Sequence, residues 1–238
     1  MGSPAALVTG GSRGIGRAAS ERLARQGFHV ICLARTPGAG EFPGTFIACD
    51  LSDRLATQKV LASVSDKFEV EVIVNNYGVS GKQSLGEIDV SELTRIFDQN
   101  VRVALDVTQH FVAPMKARKY GRIVNVVSRT IGGAAHRSSY SAAKSALVGC
   151  TKSWALELAE HGITVNAVSP GPVETEMYRR AFPKCSEDEQ RLIASLPVGR
   201  LGDPAEIAAA IAFLASRDAG FITGQVLRVD GGGSISGR

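Results

Sequence analysis

Short apolar runs alternate with helix-like stretches along nearly the whole chain, and this alternation constrains the fold more than any other feature. The runs, read as strands, lie at 6–9, 29–34, 45–49, 72–75, 122–127, 164–169 and 226–229. Helical periodicity occupies 14–27, 54–67, 90–118, 140–161 and 204–216, with a less regular helical stretch at 174–195. Several of the runs are continuously apolar, as strands buried on both faces are. The sequence therefore predicts an α/β fold, a doubly wound seven-stranded parallel sheet with helices on both faces.

The length of the chain fits a single domain. The chain has 238 residues, 44% of them hydrophobic and 21% charged, which is enough for one well-filled core. No internal repeat or linker divides it, so we expect one single domain over 1–238. The long irregular insertion is the proline-rich stretch 170–200, which predicts a substrate lid at about 174–200.

Charge and composition argue against several classes of partner. The net charge is +4, but 27 basic residues are interspersed with 23 acidic ones, without the concentrated basic face that nucleic acids require. The longest apolar run is too short to cross a membrane. The cysteines and histidines show neither metal-ligand spacing nor a disulfide framework. This cysteine usage fits a reducing, cytoplasmic location, with Cys32, Cys49 and Cys150 as buried small apolar side chains.

A glycine-rich loop follows the first strand and opens the first helix. Its sequence, Thr9-Gly10-Gly11-Ser12-Arg13-Gly14-Ile15-Gly16, stands in the context that dinucleotide binding requires. Glycines let the backbone turn tightly and approach a pyrophosphate, which then lies at the helix N-terminus. The alternative is a tight strand-to-helix turn that binds nothing.

The spacing T-G-x-x-x-G-x-G resembles the short-chain dehydrogenase/reductase family, and four further motifs of that family follow in order. They are Asn75-Asn76-Tyr77-Gly78 after the fourth strand, Ser128 at the end of the fifth, Tyr140-x-x-x-Lys144 at the start of a helix, and Pro170-Gly171 after the sixth strand. The resemblance covers nearly the whole chain and implies a Rossmann fold. Within the family, the pattern is most similar to 3-oxoacyl-carrier-protein reductases and NADPH-dependent carbonyl reductases.

Tyr140 and Lys144 stand four residues apart, so their side chains lie on one face of the helix. A tyrosine with an unperturbed pKa of about 10 is a poor acid-base catalyst at neutral pH. A neighbouring ammonium favours the phenolate, so we expect Lys144 to lower the pKa of Tyr140. Tyr140 would then exchange a proton with the substrate while the nicotinamide exchanges the hydride. Ser128 would donate a hydrogen bond to the substrate carbonyl oxygen as negative charge develops there.

The resemblance implies a catalytic tetrad of Asn100, Ser128, Tyr140 and Lys144, in which Asn100 holds a water that links Lys144 to solvent. A polar helix residue without a role is the alternative for Asn100. The implied cofactor-binding residues are Gly10, Ser12, Arg13, Gly14, Ile15, Gly16, Arg35, Asp50, Leu51, Asn76, Tyr140, Lys144, Pro170, Gly171, Val173 and Thr175. Asp50-Leu51 resembles the pair that contacts adenine, and Thr175 resembles the residue that bonds the carboxamide. No metal is implied.

The end of the second strand decides which nicotinamide cofactor is expected. An acidic residue there would bond the adenosine ribose and repel a phosphate. This chain has Ala34-Arg35 instead, and Arg35 and Arg13 together could pair with a 2′-phosphate. The sequence therefore predicts NADP(H), although both arginines could also be simple exposed loop residues.

Two residues depart from the family pattern. Tyr77 replaces the small residue of N-N-A-G, and Arg129 follows Ser128 where an apolar or small residue is usual. Tyr77 could alter packing beside the cofactor. Arg129 could attract an acidic group of the substrate or point to solvent.

The leading interpretation is reversible, NADPH-dependent reduction of a ketone, a small-molecule carbonyl, to a secondary alcohol. The alternatives are a 3-oxoacyl-carrier-protein reductase, with the carrier docking near Lys119 and His161, and a non-enzymatic NADP(H)-sensing protein. A sugar-nucleotide epimerase is disfavoured by the short C-terminal part. The resemblance further implies a homotetramer, in which helices 90–118 and 140–161 form one interface and helix 204–216 with the last strand forms another.

Overall fold

The computed structural model describes residues 4–236 and contains a seven-stranded, wholly parallel sheet. The strands are β1 Ala5–Thr9, β2 His29–Ala34, β3 Gly44–Ala48, β4 Val70–Asn75, β5 Gly121–Val126, β6 Ile163–Pro170 and β7 Val226–Val229. Their order is β3-β2-β1-β4-β5-β6-β7. The predicted doubly wound Rossmann fold is therefore confirmed, with strand bounds within two residues of those expected. The ends of the predicted 1–238 domain, 1–3 and 237–238, lie outside the described residues.

Eight α-helices of the described chain cover the sheet. They are α1 Gly14–Arg25, α2 Arg54–Ser65, α3 Val90–Phe97, α4 Val103–Arg118, α5 Ser138–Leu158, α6 Glu176–Ala181, α7 Glu187–Ala194 and α8 Pro204–Ala215. Helices α2, α4 and α5 pack on one face of the sheet, and α1 and α8 pack on the other. Alternate residues of β1 supply the two cores, Leu7 to the first and Val8 to the second, because successive strand side chains point to opposite faces.

The predicted helix 90–118 is not continuous. A π-helical segment, Asp98–Arg102, separates α3 from α4. The side-chain Nδ2 of Asn100 donates to the Ile96 carbonyl at 2.8 Å, which occupies the acceptor that the backbone N–H of residue 100 would use in an α-helix. The periodicity of the sequence does not reveal this competition. Single-turn π segments are frequent at functional sites.

The stretch predicted as an irregular helix at 174–195 forms two short helices, α6 and α7. Thr175 caps α6 and Ser186 caps α7, each accepting a backbone N–H with its hydroxyl. Arg179 of α6 donates to Glu189 of α7 at 2.6 Å and also pairs with Glu174. Glu189 is buried. The predicted lid is therefore built as two helices joined by ion pairs.

Further features of the chain concern α8 and the cysteines. Asp203 caps α8, Pro204 occupies its first turn and Glu206 completes a capping box. Cys32 and Cys49 are buried, whereas Cys150 is only partly buried. No helix within residues 4–236 is long and apolar enough to cross a membrane. Those residues also contain no cluster of side chains suited to hold a metal ion.

Candidate active site

The strand order reverses between β1 and β4, and the carboxyl ends of these strands define the crevice where ligands bind in folds of this type. Two residues tie its walls together. The hydroxyl of Thr9 accepts the backbone N–H groups of Asn76 and Tyr77, at 3.1 and 3.0 Å. The side-chain Nδ2 of Asn76 donates to the carbonyls of Thr9 and Gly10, at 3.0 and 3.1 Å. The structure thus gives Thr9, which the sequence did not single out, a positioning role.

The glycine-rich loop forms an open cradle above β1. Gly10 and Gly14 have φ of +65° and +53°, a conformation that favours glycine. A Cβ at Gly16 would lie 2.3 Å from the Gly10 carbonyl oxygen. The N-terminus of α1 has no side-chain cap and no acidic residue in its first turn, so its backbone N–H groups are available to an anion. This arrangement fits a dinucleotide pyrophosphate.

The remaining residues of the loop support its shape. Ser12 is buried, and a Cβ at Gly38 would lie 2.1 Å from its carbonyl oxygen, so the segment after β2 runs directly over the loop. Ile15 packs, partly buried, against the core formed by α1 and α8. Both residues position the backbone of the loop.

The two arginines predicted to read a 2′-phosphate lie on this side of the crevice. Both are exposed. Arg13 donates to the Thr36 hydroxyl at 2.8 Å and pairs with Glu176 of α6 at 2.9 Å. Thr36 is the neighbour of Arg35, so the cationic group of Arg13 reaches the segment that carries Arg35.

Asp50 and Leu51 follow β3 at the same edge of the sheet. Asp50 accepts the backbone N–H and the hydroxyl of Ser52, at 3.0 and 2.7 Å, and these bonds hold the pKa of its carboxyl below the ordinary value. Leu51 is buried, and its carbonyl accepts from Arg102 at 3.3 Å. The backbone of this pair is thereby fixed.

The segment after β6 faces the glycine loop. Pro170 ends the strand, Gly171 lies so close to the chain after β7 that a Cβ would be 2.7 Å from the Cα of Asp230, and Val173 is buried. The methyl group of Thr175 is 3.3 Å from the position of a Cβ at Gly14. The base of the lid and the loop therefore form the two walls of one cleft.

Ser128, Tyr140 and Lys144 converge beside this cleft. Ser128 follows β5 in an extended conformation and accepts the N–H of Thr130 at 3.2 Å. Its hydroxyl also interacts with that of Tyr140. Lys144, one turn further along α5, has its Nζ 5.8 Å from the centre of the Tyr140 ring.

The ammonium of Lys144 is buried and unusually placed. Nζ donates to the Val126 carbonyl at 2.9 Å. Among the ion pairs of residues 4–236, none involves Lys144, and burial lowers its pKa to about 8. A charge held in such a place without a carboxylate is typical of a functional group.

Asn100 and Lys144 meet at Gly78. A Cβ at Gly78 would lie 2.4 Å from Asn100 Oδ1 and 3.1 Å from Lys144 Nζ, so both atoms border the same small space. Asn100 Nδ2 donates to the carbonyls of Val79 and Ile96, at 2.8 Å each. Its Oδ1 is shielded from solvent and has no partner in the described chain. The unused acceptor beside an ammonium fits a site that holds water.

The expected pKa of Tyr140 is not what the structure gives. Burial raises this pKa above the ordinary value, and the interactions with Ser128 and Arg137 that act in the opposite direction are weaker. The lowering of this pKa that we expected from Lys144 is not seen, because burial outweighs it and the Lys144 ammonium donates to the Val126 carbonyl.

Three other positions deserve a separate description. Tyr77 packs against the core and donates from its hydroxyl to Gln99 at 2.9 Å, so it braces the segment that carries Asn100. No signal in the sequence pointed to Gln99.

Lys119 and His161 were considered as a docking site for a carrier beside the cleft. They precede β5 and β6 and therefore lie at the amino edge of the sheet, opposite the tetrad. Within one chain these two residues are therefore not beside the cleft.

Comparison with known proteins agrees with this geometry. A family model described as Enoyl-(Acyl carrier protein) reductase matches residues 10–234. The 3-oxoacyl-(acyl-carrier-protein) reductase FabG of Vibrio cholerae is 39% identical over 239 residues, covering 95% of this chain and 96% of that protein.

Solved structures agree as well. One is a protein of Beutenbergia cavernae, provisionally assigned as an NAD(P)-dependent gluconate 5-dehydrogenase and solved with NADP at low occupancy. It is 32% identical with a TM-score of 0.91, covering 99% of this chain and 98% of that one. Another, described as a short-chain dehydrogenase/reductase family protein, is 34% identical with a TM-score of 0.89 and covers 98% of both chains. The ordered motifs, the topology and these matches together place the chain in one family of oxidoreductases: it belongs to the short-chain dehydrogenases/reductases.

Proposed function

We propose that this protein is an NADPH-dependent reductase that converts a ketone to a secondary alcohol, with the four-residue site of Asn100, Ser128, Tyr140 and Lys144 as its catalytic centre. The observation that carries the proposal is the meeting of the buried Lys144 ammonium and the unpartnered Asn100 oxygen beside Gly78. A binding module has no use for a buried cation without a carboxylate next to a partly buried tyrosine. The same residues serve the reverse oxidation.

The cofactor is NADP(H), and the residues present fit it. The uncapped N-terminus of α1 would hold the pyrophosphate, and Arg13 with Arg35 would hold the 2′-phosphate. A related structure contains NADP. Asp50 would contact the adenine and Asn76 a ribose of the cofactor. Thr175 would contact the carboxamide, and Lys144 would reach the nicotinamide ribose. When bound, NADPH supplies the hydride that reduces the carbonyl carbon.

The side chains supply the proton and stabilise the oxygen. The Ser128 hydroxyl donates to the carbonyl oxygen, and the Tyr140 hydroxyl transfers its proton to that oxygen as the alcohol forms. Because burial raises the pKa of Tyr140, the neutral hydroxyl is the resting form, which suits a proton donor in the direction of reduction. Lys144, with water held at Asn100, returns a proton to Tyr140 from solvent.

Two alternative substrates follow from the relatives. The Vibrio cholerae relative is named for 3-oxoacyl groups on a carrier protein, and the Beutenbergia cavernae protein for gluconate. A 3-oxoacyl-carrier-protein reductase is the second candidate function here, supported by the identity to the first of these. Turnover of a carrier-linked 3-oxo thioester in preference to free ketones would favour it.

The proposal is tested by NADPH oxidation with a panel of ketones, comparing the wild type with Tyr140→Phe. We expect the substitution to lower kcat about a thousandfold or more while cofactor binding persists, because only the proton donor is lost. Tyr120→Phe, the same change at a residue beside the amino end of β5, is the matched control and should retain full activity. Cofactor binding without turnover of any ketone by the wild type would instead indicate an NADP(H)-sensing protein.

A further inference from the structure

One cation beside the catalytic serine has no partner. Arg129 follows Ser128 directly and begins the short 3-10 helix Arg129–Gly132. None of the ion pairs or side-chain hydrogen bonds formed among residues 4–236 involves its guanidinium, although the residue is partly buried. The lid arginine Arg179, by contrast, is neutralised by Glu174 and Glu189.

The guanidinium of Arg129 turns toward the lid and the C-terminal segment. Its Nη1 lies 3.2 Å from the position of a Cβ at Gly233, where Leu196 and the backbone of Asp230 also approach. The positive charge of Arg129 also acts electrostatically on the hydroxyl of Tyr178 in α6. Burial raises the pKa of Tyr178, and Arg129 is one of the cations that lower it. Arg129 therefore does not extend freely into solvent.

A second unsatisfied group faces the same region. The hydroxyl of Tyr178 is shielded from solvent and has no hydrogen-bond partner in the described part of the chain. A buried hydroxyl left unpaired is destabilising, so such groups are normally satisfied by a ligand or by water. The guanidinium of Arg129 and the phenol of Tyr178, on which the Arg129 charge acts, can both donate hydrogen bonds to an anion.

We propose that Arg129 is an anion subsite and that the ketone reduced by this enzyme carries a carboxylate, bound between the 3-10 helix, α6 and the 230–233 segment. The inference rests on the proposed function and names its substrate class. Ser128 and Arg129 are consecutive residues at the start of the 3-10 helix, so the oxygen donor and the anion subsite are carried by one short segment. A carboxylate suits one guanidinium, which binds it in a bidentate manner. A phosphate would bring more negative charge than one guanidinium matches.

The test compares oxo acids with their methyl esters, which differ in charge and little in shape. The substrates are 4-oxopentanoate and 5-oxohexanoate with the corresponding esters, and the proteins are the wild type, Arg129→Gln and Arg129→Lys. We expect Arg129→Gln to lower kcat/KM for the acids about tenfold or more and to change that for the esters less than about twofold. Arg129→Lys should keep part of the preference for the acids, since it keeps the charge.

The matched control is Arg191→Gln, which removes an exposed lid cation paired with Glu187. It should leave the ratio of acid to ester unchanged. Equal losses for acids and esters in Arg129→Gln, or no preference of the wild type for acids, would overturn the proposal while leaving ketone reduction intact.

A binding measurement separates the two proposals. Calorimetric titration of the NADP(H)-loaded protein with 4-oxopentanoate reports the subsite without turnover. Binding that weakens about tenfold in Arg129→Gln supports the subsite even where no ketone is reduced, in which case the proposed function fails alone. Binding that is equal in both proteins overturns the subsite.

Discussion

Lys144 carries a charge that its surroundings disfavour. Its pKa of about 8 lies below the ordinary lysine value of 10.5, so the folded protein binds the proton less tightly than the unfolded chain does. The sign follows from linkage: between about pH 8 and 10.5 the unfolded state binds more protons, and stability rises with pH. Below pH 8 the charged form is retained at a cost of about 3 kcal/mol.

We therefore predict that Lys144→Met inactivates the enzyme without destabilising it. The substitution removes the buried charge and loses one hydrogen bond worth about 1 kcal/mol, so the free energy of unfolding at pH 7 should rise by about 2 kcal/mol. Urea unfolding at pH 7 and pH 10 measures this. The gain should shrink toward pH 10, and a loss of stability at pH 7 would contradict the argument.

Gly78 is predicted to tolerate no side chain. Gly78→Ala places a Cβ 2.4 Å from Asn100 Oδ1 and 3.1 Å from Lys144 Nζ, so at least one of these groups must move. We expect kcat to fall about a hundredfold with the Kd of NADPH nearly unchanged. The control is Gly149→Ala on α5, where a Cβ meets nothing within 4 Å and activity should persist. Unchanged kcat in Gly78→Ala would show that the space beside Gly78 is not used.

The contact between Arg13 and Glu176 predicts opposite effects on cofactor choice. Arg13→Gln should weaken NADPH binding about tenfold and leave NADH binding within about twofold, because only NADPH carries the 2′-phosphate. Glu176 shares the same guanidinium at 2.9 Å and repels a phosphate, so Glu176→Gln should strengthen NADPH binding a few-fold. Fluorescence titration measures both. If Glu176→Gln weakens NADPH binding, the carboxylate assists the phosphate indirectly.

Residue motifs were predictable from the sequence where neighbours along the chain define them. The glycine loop is of this kind, because its residues follow one another in the sequence. The Tyr140–Lys144 pair is too, because a spacing of four residues places both side chains on one face of a helix. Thr9, Gln99 and Glu176 were not, since each acts on a segment far away in the chain. The raised pKa of Tyr140 depends on burial, which only the packed fold reveals.

At the scale of elements, the strands were predicted well because buried parallel strands are continuous apolar runs, whereas the breaks in helices were not. The π segment arises from one side-chain hydrogen bond of Asn100. The division of the lid arises from the caps Thr175 and Ser186. Side-chain hydrogen bonds to the backbone of this kind do not change the average spacing of apolar residues. The helical pattern of the sequence therefore does not reveal where they interrupt a helix.

The ion pairs of the lid give a prediction about this element. Arg179→Gln leaves the buried Glu189 without its cation, and an unpaired buried charge is strongly destabilising. We expect hydrogen exchange to accelerate over 176–194 while β4 and β5 remain protected, with KM raised several-fold and kcat less affected. Arg191→Gln on the same lid, exposed and paired with Glu187, is the control. A global loss of protection would show that the lid does not open independently.

At the scale of the whole molecule, several apolar side chains remain exposed, and some of them lie on the elements that the sequence predicts as interfaces. Leu156 on α5 is 83% exposed, and Leu105 on α4 is 41% exposed. Phe213 on α8 is 45% exposed, and Phe221, between α8 and β7, is fully exposed. These residues lie on or beside the elements that the sequence predicts as interfaces of a homotetramer, so we expect association to cover them.

The tetramer is testable by analytical ultracentrifugation. We expect a mass near that of four copies of the 25.0 kDa chain. Leu156→Glu and Phe213→Glu each place a charge in one predicted interface, so each should yield dimers, and together they should yield monomers. Leu55→Glu is the control, because Leu55 on α2 is 70% exposed but lies outside both regions. A wild-type mass of one chain would contradict the prediction. A wild-type dimer whose mass Phe213→Glu does not change would mean that the chains associate through α4 and α5 and not through α8.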